Sequence, residues 1–192
     1  VGYQALTGFT TGEENVAVGY LALQDLTTGA QNVGISRLAG GDLTTGNYNV
    51  FIGNEAGRVA TTQDELILIG YKAGYALNHD DADGAVLIGY QAGMSLTTSE
   101  GVYIGWNAGA DADAATVNAI QNVAVGTNAL LAITDGDNNV ALGSSAGVAI
   151  TTGERNVAIG AHSLATEDGN GRNIAVGYAS LNALNAGADA YN

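Results

Sequence analysis

A repeat of 17 residues runs along the whole chain and decides what it can fold into. Aligning the 192 residues on an Asn-Val-x-Val-Gly signature gives eleven anchor positions. Consecutive anchors are separated by 17, 17, 17, 17, 19, 16, 21, 17, 17 and 17 residues, so changes of length are confined to the middle. The anchors are Gly2, Gly19, Ser36, Gly53, Gly70, Gly89, Gly105, Gly126, Gly143, Gly160 and Gly177. Residues 1–192 therefore form a single repeat array without a domain boundary.

Each repeat predicts one short β-strand just before its anchor. The residue before the anchor is aliphatic in every copy, and a β-branched residue lies two positions earlier. Stiff β-branched residues alternating around a variable position are typical of a half-buried strand. A unit this short cannot bury its apolar side alone, so the copies must stack, with each strand pairing in parallel with the next. The sequence predicts an all-β fold, a parallel β-solenoid or β-roll of about eleven coils.

The remainder of the repeat is ambiguous. Segments such as Tyr20–Leu26 place apolar residues at helical spacing, so a short helical turn and a second short strand both fit. Thr-Thr-Gly triplets close several units with turn chemistry. Stacking would also align an Asn that precedes many of the strands, which predicts ladders of amide hydrogen bonds along the axis. Leu66, Ala85 and Gly101 replace that Asn in the middle copies.

Side-chain size at the central position of the strand is inversely related to side-chain size four places after the anchor. Where the strand carries a bulky residue the later position is Gly, and in four other copies Ala in the strand accompanies Leu at the later position. Conserved volume at a shared site predicts that the two positions touch, within a coil or across a subunit interface. If the central residue points away from its own core, its packing requires a partner chain. The resulting candidates for a subunit interface are Phe51, Leu68, Leu87 and Tyr103.

Charge and composition exclude several classes of function. Five Lys or Arg against 19 Asp or Glu give a net charge of −14, which argues against binding to nucleic acid or to anionic membranes. No apolar run is long enough to span a bilayer. Without cysteine, and with only two histidines, the chain has few groups for catalysis. We expect no enzymatic activity, no catalytic residue and no cofactor.

Two kinds of ligand site are candidates. Asp81 and Asp83 lie in an acidic insertion whose oxygen atoms could bind Ca²⁺, although a solvated acidic loop is the favoured interpretation. Aromatic residues directly after the anchors could stack as a row and bind sugar rings, or pack between subunits. The row includes Tyr20, Tyr71, Tyr90 and Trp106. Rows of Thr hydroxyls at the turns could match ice or carry sugars, and ordinary turn preference also explains them.

Units such as Asn15-Val-Ala-Val-Gly-Tyr-Leu-Ala-Leu, joined through Thr-Thr-Gly, resemble the head repeats of trimeric autotransporter adhesins and the repeats of bacteriophage tail fibres. The resemblance covers essentially the whole chain. It implies a homotrimeric, left-handed β-roll-like stalk or head that is exposed at a cell or virion surface and used for attachment. The expected partners are other copies of the chain, side by side or end to end, and a cell-surface glycan or receptor.

The predicted function is therefore a structural and adhesive module of an extracellular fibre. The chain begins inside the signature and stops after a complete unit without a polar capping repeat, which predicts a segment of a longer fibre or a unit that abuts another copy. The alternative is a solitary solenoid that binds carbohydrate or ice through its Tyr and Trp row or its Thr rows.

Overall fold

The computed structural model describes residues 1–79, 82–110 and 118–183, and it confirms the predicted parallel β-solenoid. Ten strands of three residues form one sheet whose order follows the chain. They are β1 (Val16–Val18), β2 (Val33–Ile35), β3 (Val50–Ile52), β4 (Ile67–Ile69), β5 (Val86–Ile88), β6 (Val102–Ile104), β7 (Val123–Val125), β8 (Val140–Leu142), β9 (Val157–Ile159) and β10 (Ile174–Val176). Each residue pairs with its equivalent one repeat later, as Val16 does with Val33. No helix that could cross a membrane occurs among the described residues.

The part of the coil after the anchor is neither a helix nor a second strand. It is a series of turns whose backbone groups bond to the neighbouring coils. The N–H of Leu21 donates to the carbonyl of Tyr3 at 2.9 Å, and the N–H of Leu23 donates to that of Ala39 at 3.0 Å. Because the turns also bond from coil to coil, polar backbone groups around the coil are satisfied without regular secondary structure.

Left-handed backbone conformations close each coil. In the second repeat, Leu21, Leu23 and Gln31 have φ angles of 57°, 46° and 59°. Equivalent positions repeat this along the axis, and 25 non-glycine residues in the described part of the chain have positive φ. None of them is Val, Ile or Thr, whose branched Cβ tolerates this region least. The bend positions therefore exclude the β-branched residues that dominate the flanking positions of the strands.

The strands bury their central residue and expose the two that flank it. Phe51, Leu68, Leu87 and Tyr103 have no exposed surface, since all four lie inside their own coil. Their assignment to a subunit interface is wrong. The coil closes on the side of the central residue, so alternation along the strand directs the flanking aliphatic residues outwards.

The predicted contact between the exchanging positions is confirmed, and it lies within the core. A Cβ atom on Gly109 would lie 2.4 Å from Cδ1 of Tyr103, so only glycine leaves room for that ring. Gly34 and Gly40 break the exchange rule because neighbouring coils fill the space. Added Cβ atoms there would lie 2.6 Å from Cγ of Leu23 and 2.6 Å from Cδ2 of Phe51, respectively.

The asparagine ladders are confirmed as well. The side-chain amide of Asn139 donates to the carbonyl of Gly153 at 2.8 Å, and its Oδ1 accepts the N–H of Asn156 at 2.9 Å. Its own N–H donates to Oδ1 of Asn122 at 2.8 Å. Asn139 therefore bonds to both neighbouring coils. The first ladder consists of Asn15, Asn32 and Asn49. It ends at Leu66, whose N–H donates to Oδ1 of Asn49 at 2.9 Å.

Candidate functional site

The two flanking positions of the strands form a continuous apolar surface, which we term the aliphatic face. It consists of the first and third residues of β1 to β10, and all twenty positions are Val, Ile or Leu. Exposure ranges up to 64% at Val176 in β10, and Ile159 in β9 is 36% exposed. With strands spaced about 4.8 Å apart, the face is roughly 43 Å long and two side chains wide.

Ordinary solvent-facing strands do not have this composition. The exposed side of a sheet normally alternates polar residues with the buried apolar ones, and charged residues protect its edges. Here none of the twenty outward positions is polar or charged. Contiguous apolar surface of this kind marks a protein–protein or ligand interface. Sequence reasoning missed this face, and the signal for it was the absence of any polar residue at either flanking position.

An aromatic row borders the aliphatic face, directly after the anchors. The rings of Tyr71 and Tyr90 stack with centroids 5.1 Å apart, and those of Tyr90 and Trp106 stack at 4.2 Å. Tyr3 and Tyr20 form a separate stack at 5.4 Å. The predicted stacking is therefore confirmed for these five rings, in two separate groups, whereas Tyr178 makes an edge contact with the His162 ring at 6.2 Å. Both faces of Tyr90 are covered by neighbouring rings, so a sugar can stack only at the free end of a series.

The threonine rows use many of their hydroxyl groups internally. The hydroxyl of Thr27 donates to the carbonyl of Thr44 at 2.9 Å, and that of Thr44 donates to Thr61 at 2.9 Å. The second Thr of these pairs is exposed at Thr28 and Thr45. Half of each predicted hydroxyl row is thus a link between coils, which weakens the case for a regular ice-binding lattice.

The two calcium candidates do not come together as a described site. Oδ1 of Asp83 accepts the N–H of Asp64 at 2.8 Å, and Oδ1 of Asp64 accepts the N–H of Asn47 at 2.6 Å. Asp83 is therefore part of a second ladder, in which side chains cap the backbone of the preceding coil. Asp81 lies outside the described residues. Within the described ranges, His, Asp and Glu side chains form no group of three or more that could hold a metal ion.

The cationic side chains are largely engaged in ion pairs. Arg37 and Glu55 lie 2.5 Å apart, and Arg58 pairs with Asp42. A polar surface recess of about 270 Å³ lies beside Arg155 and Arg172, and it is also lined by Thr152, Glu154, Gly169 and Gly171. Arg155 already contacts the carboxylate of Glu154 at 2.7 Å. This partial neutralisation makes the recess a poor anion site.

The aliphatic face and its aromatic border are therefore the surface features that ordinary folding requirements leave unexplained. No protein-family model matches the chain, and neither a curated protein nor a solved structure matches it.

Proposed function

We propose that the chain is a structural and adhesive module of a surface fibre, on a bacterial cell or in a phage tail fibre. It self-associates through the aliphatic face into a homotrimer. The observation that carries the proposal is that twenty outward strand positions are all aliphatic. Removing apolar area from water lowers the free energy by roughly 25 cal/mol per Å², so burying a surface of this extent stabilises an assembly of chains.

The dimensions of the aliphatic face fit association side by side. Its two rows run parallel to the solenoid axis, so partner chains would lie with their axes aligned. Twenty residues per chain approach the roughly 20–30 that each partner contributes to a standard interface. Three chains can close around a common axis when each row faces a different neighbour. Closed cyclic symmetry then leaves no copy of the face uncovered.

The coil itself suits a load-bearing rod. Parallel hydrogen-bond ladders, Asn ladders and a continuous core all run along the axis, so each coil braces its neighbours. The net charge of −14 per chain opposes lateral clumping of finished rods. An extracellular position on a cell or virion belongs to this proposal, as does a role without catalysis.

The mass of the chain in solution tests the proposal. Light scattering coupled to size exclusion should give about three times the chain mass of 19.2 kDa. Val125→Glu places a charge on the aliphatic face at a position 37% exposed in the single chain, so it should give a folded monomer. Thr28→Glu, on an exposed turn, is the matched control and should leave the trimer intact. A monomeric wild-type chain would refute self-association, and open-ended filaments would refute a closed trimer.

A further inference from the structure

We infer that Trp106 is the stacking platform of a binding site for a neutral oligosaccharide. The inference rests on the adhesive part of the proposed function and names the class of ligand. The series of stacked rings that begins at Tyr71 ends at Trp106, because the next positions of the aromatic row are small. On the following coils these are Thr127, Ser144 and Ala161, and the row becomes aromatic again at Tyr178.

One face of the Trp106 indole is free. Trp106 as a residue is 54% exposed even though the Tyr90 ring stacks against its indole at 4.2 Å with the planes 16° apart. Pairing of Ile104 with Val125 sets Thr127 beside Trp106 on the next coil, and the N–H of Asn128 donates to the Trp106 carbonyl at 2.9 Å. A Thr side chain is too small to cover an indole, so the second face of the ring is open to a ligand.

The small residues beyond Trp106 form the floor of a shelf. Thr127 and Ser144 are exposed and supply hydroxyl groups, while Ala161 adds no bulk. At the far end stands Tyr178, which is 80% exposed. Four coil steps separate the two rings, so the shelf is about 19 Å long. Aromatic ends with a polar floor between them match the arrangement that sugars require, with apolar C–H groups against a ring and hydroxyls against hydrogen-bonding groups.

The residue after Trp106 carries a buried side-chain oxygen without a partner among the described residues. Oδ1 of Asn107 is buried and accepts no hydrogen bond from the described residues. Asn107 lines a surface recess of about 170 Å³ together with Gln91, Met94, Ala110 and Leu131. A buried acceptor without a donor is costly, so such groups usually have a partner. The shelf residues Thr127, Ser144 and Ala161 do not line this recess, so the argument for the sugar site rests on the free face of Trp106.

The negative charge of the chain favours neutral oligosaccharides over anionic ones. The shelf positions between the two rings carry no charged side chain, and the whole chain has a net charge of −14. Sialylated or sulfated sugars would meet repulsion without a compensating cation on the shelf. Neutral hexose and N-acetylhexosamine chains avoid that cost.

The single tryptophan allows a direct test, because Trp106 is the only indole in the chain. Tryptophan emission of the full chain is followed while cellotetraose or chitotetraose is added. At least one of these probes should produce a saturable change. Thr127→Tyr should weaken binding at least tenfold, since it extends the stack over the free face while keeping Trp106. Calorimetry with Trp106→Ala should show loss of binding. Tyr20→Ala, in the other stack, is the matched control and should bind like the wild type.

The outcomes separate this inference from the proposed fibre function. No saturable response to either tetrasaccharide overturns the inference, as does unchanged affinity in Thr127→Tyr. The mass of each variant is measured on the same samples. If Trp106→Ala lowers the mass, Trp106 is an interface residue and the sugar site is rejected. A trimer that binds neither sugar rejects the sugar site alone, and a monomer that binds one rejects self-association alone.

Discussion

At the scale of single residues, the core works by exchanging volume between two positions. A bulky strand residue requires Gly four places after the anchor, and a small one allows Leu there. The three atoms nearest to a Cβ built on Gly109 all belong to the Tyr103 ring. The two positions therefore compete directly for one volume.

The next repeat carries Ala and Leu at the positions of Tyr103 and Gly109. Replacing both residues by that pair should have coupled, non-additive effects on the free energy of unfolding. Gly109→Ala should destabilise the fold by about 2 kcal/mol or more through overpacking. Tyr103→Ala should cost about 3–5 kcal/mol by leaving a cavity. Tyr103→Ala combined with Gly109→Leu should recover much of that loss, because Leu fills the vacated space as Leu130 does beside Ala124. Denaturant unfolding of all four forms measures the coupling, and purely additive effects would contradict the shared site.

The buried Tyr103 hydroxyl predicts a loss of stability in alkali. Burial raises the pKa of Tyr103 well above its ordinary value, and the charge of Asp137 adds to this while a hydrogen bond with Asn122 opposes it. The folded state therefore keeps a proton that the unfolded chain releases above pH of about 10. This contribution is fully present below that pH and is lost as the pH rises towards the folded pKa.

The corresponding measurement compares the wild type with Tyr103→Phe. In the wild type the free energy of unfolding should fall about 1.4 kcal/mol more per pH unit above pH of about 10. Unfolding curves at several alkaline pH values give this difference. Parallel pH profiles for the two proteins would show that Tyr103 ionises equally in the folded and unfolded states.

At the scale of elements, side-chain ladders stabilise strands that are too short to be stable alone. Each strand has only three residues, so the backbone bonds of one pairing are few. Asn side chains extend the bonding beyond the strands, from one coil to the next on both sides. The ladder is therefore a structural unit as important as the sheet.

Interrupting the second Asn ladder, which runs from Asn122 to Asn173, at an inner position should cost more than removing the first residue of the first ladder. Asn139→Ala leaves the carbonyl of Gly153 and the N–H of Asn156 without their partner, at about 1–3 kcal/mol for each buried group. Asn15→Ala acts on a half-buried residue at the end of its ladder. Water can approach the vacated site from that end, so the cost should be smaller even though Asn32 also loses an acceptor. Chemical denaturation ranks the two variants. Equal destabilisation would argue against a cooperative ladder.

At the scale of the whole molecule, the aliphatic face favours association and the net charge opposes it. Three chains would bring together three net charges of −14. Raising the ionic strength from about 0.01 M to 0.15 M shortens the Debye length from about 30 Å to 8 Å. Apolar contact is not weakened by this screening.

Salt should therefore strengthen the proposed trimer. Light scattering over a dilution series at the two ionic strengths should show dissociation at a lower protein concentration in the higher salt. Val125→Glu should remain monomeric under both conditions, because its defect lies in the apolar contact. A trimer that salt dissociates would indicate an interface made by ion pairs.

The sequence by itself determined the solenoid, the parallel register, the Asn ladders and the contact between exchanging positions. Each of these is recorded as a residue type at a fixed spacing, and stacking places equal positions together. Ring stacking followed for the same reason. It linked the Tyr3 and Tyr20 pair, and the series from Tyr71 to Trp106, where aromatic residues occupy consecutive coils.

Only the tertiary structure decided which side of each strand faces inwards. All three positions of a strand such as β3 are apolar, so period-two alternation carries no contrast that marks the buried side. The choice is made by left-handed bends at residues such as Tyr48 and Glu55, whose side chains have no preference for that conformation. Those bends close the coil around Phe51 and leave Val50 and Ile52 on the aliphatic face, which is why the predicted interface lay on the wrong side of the strand.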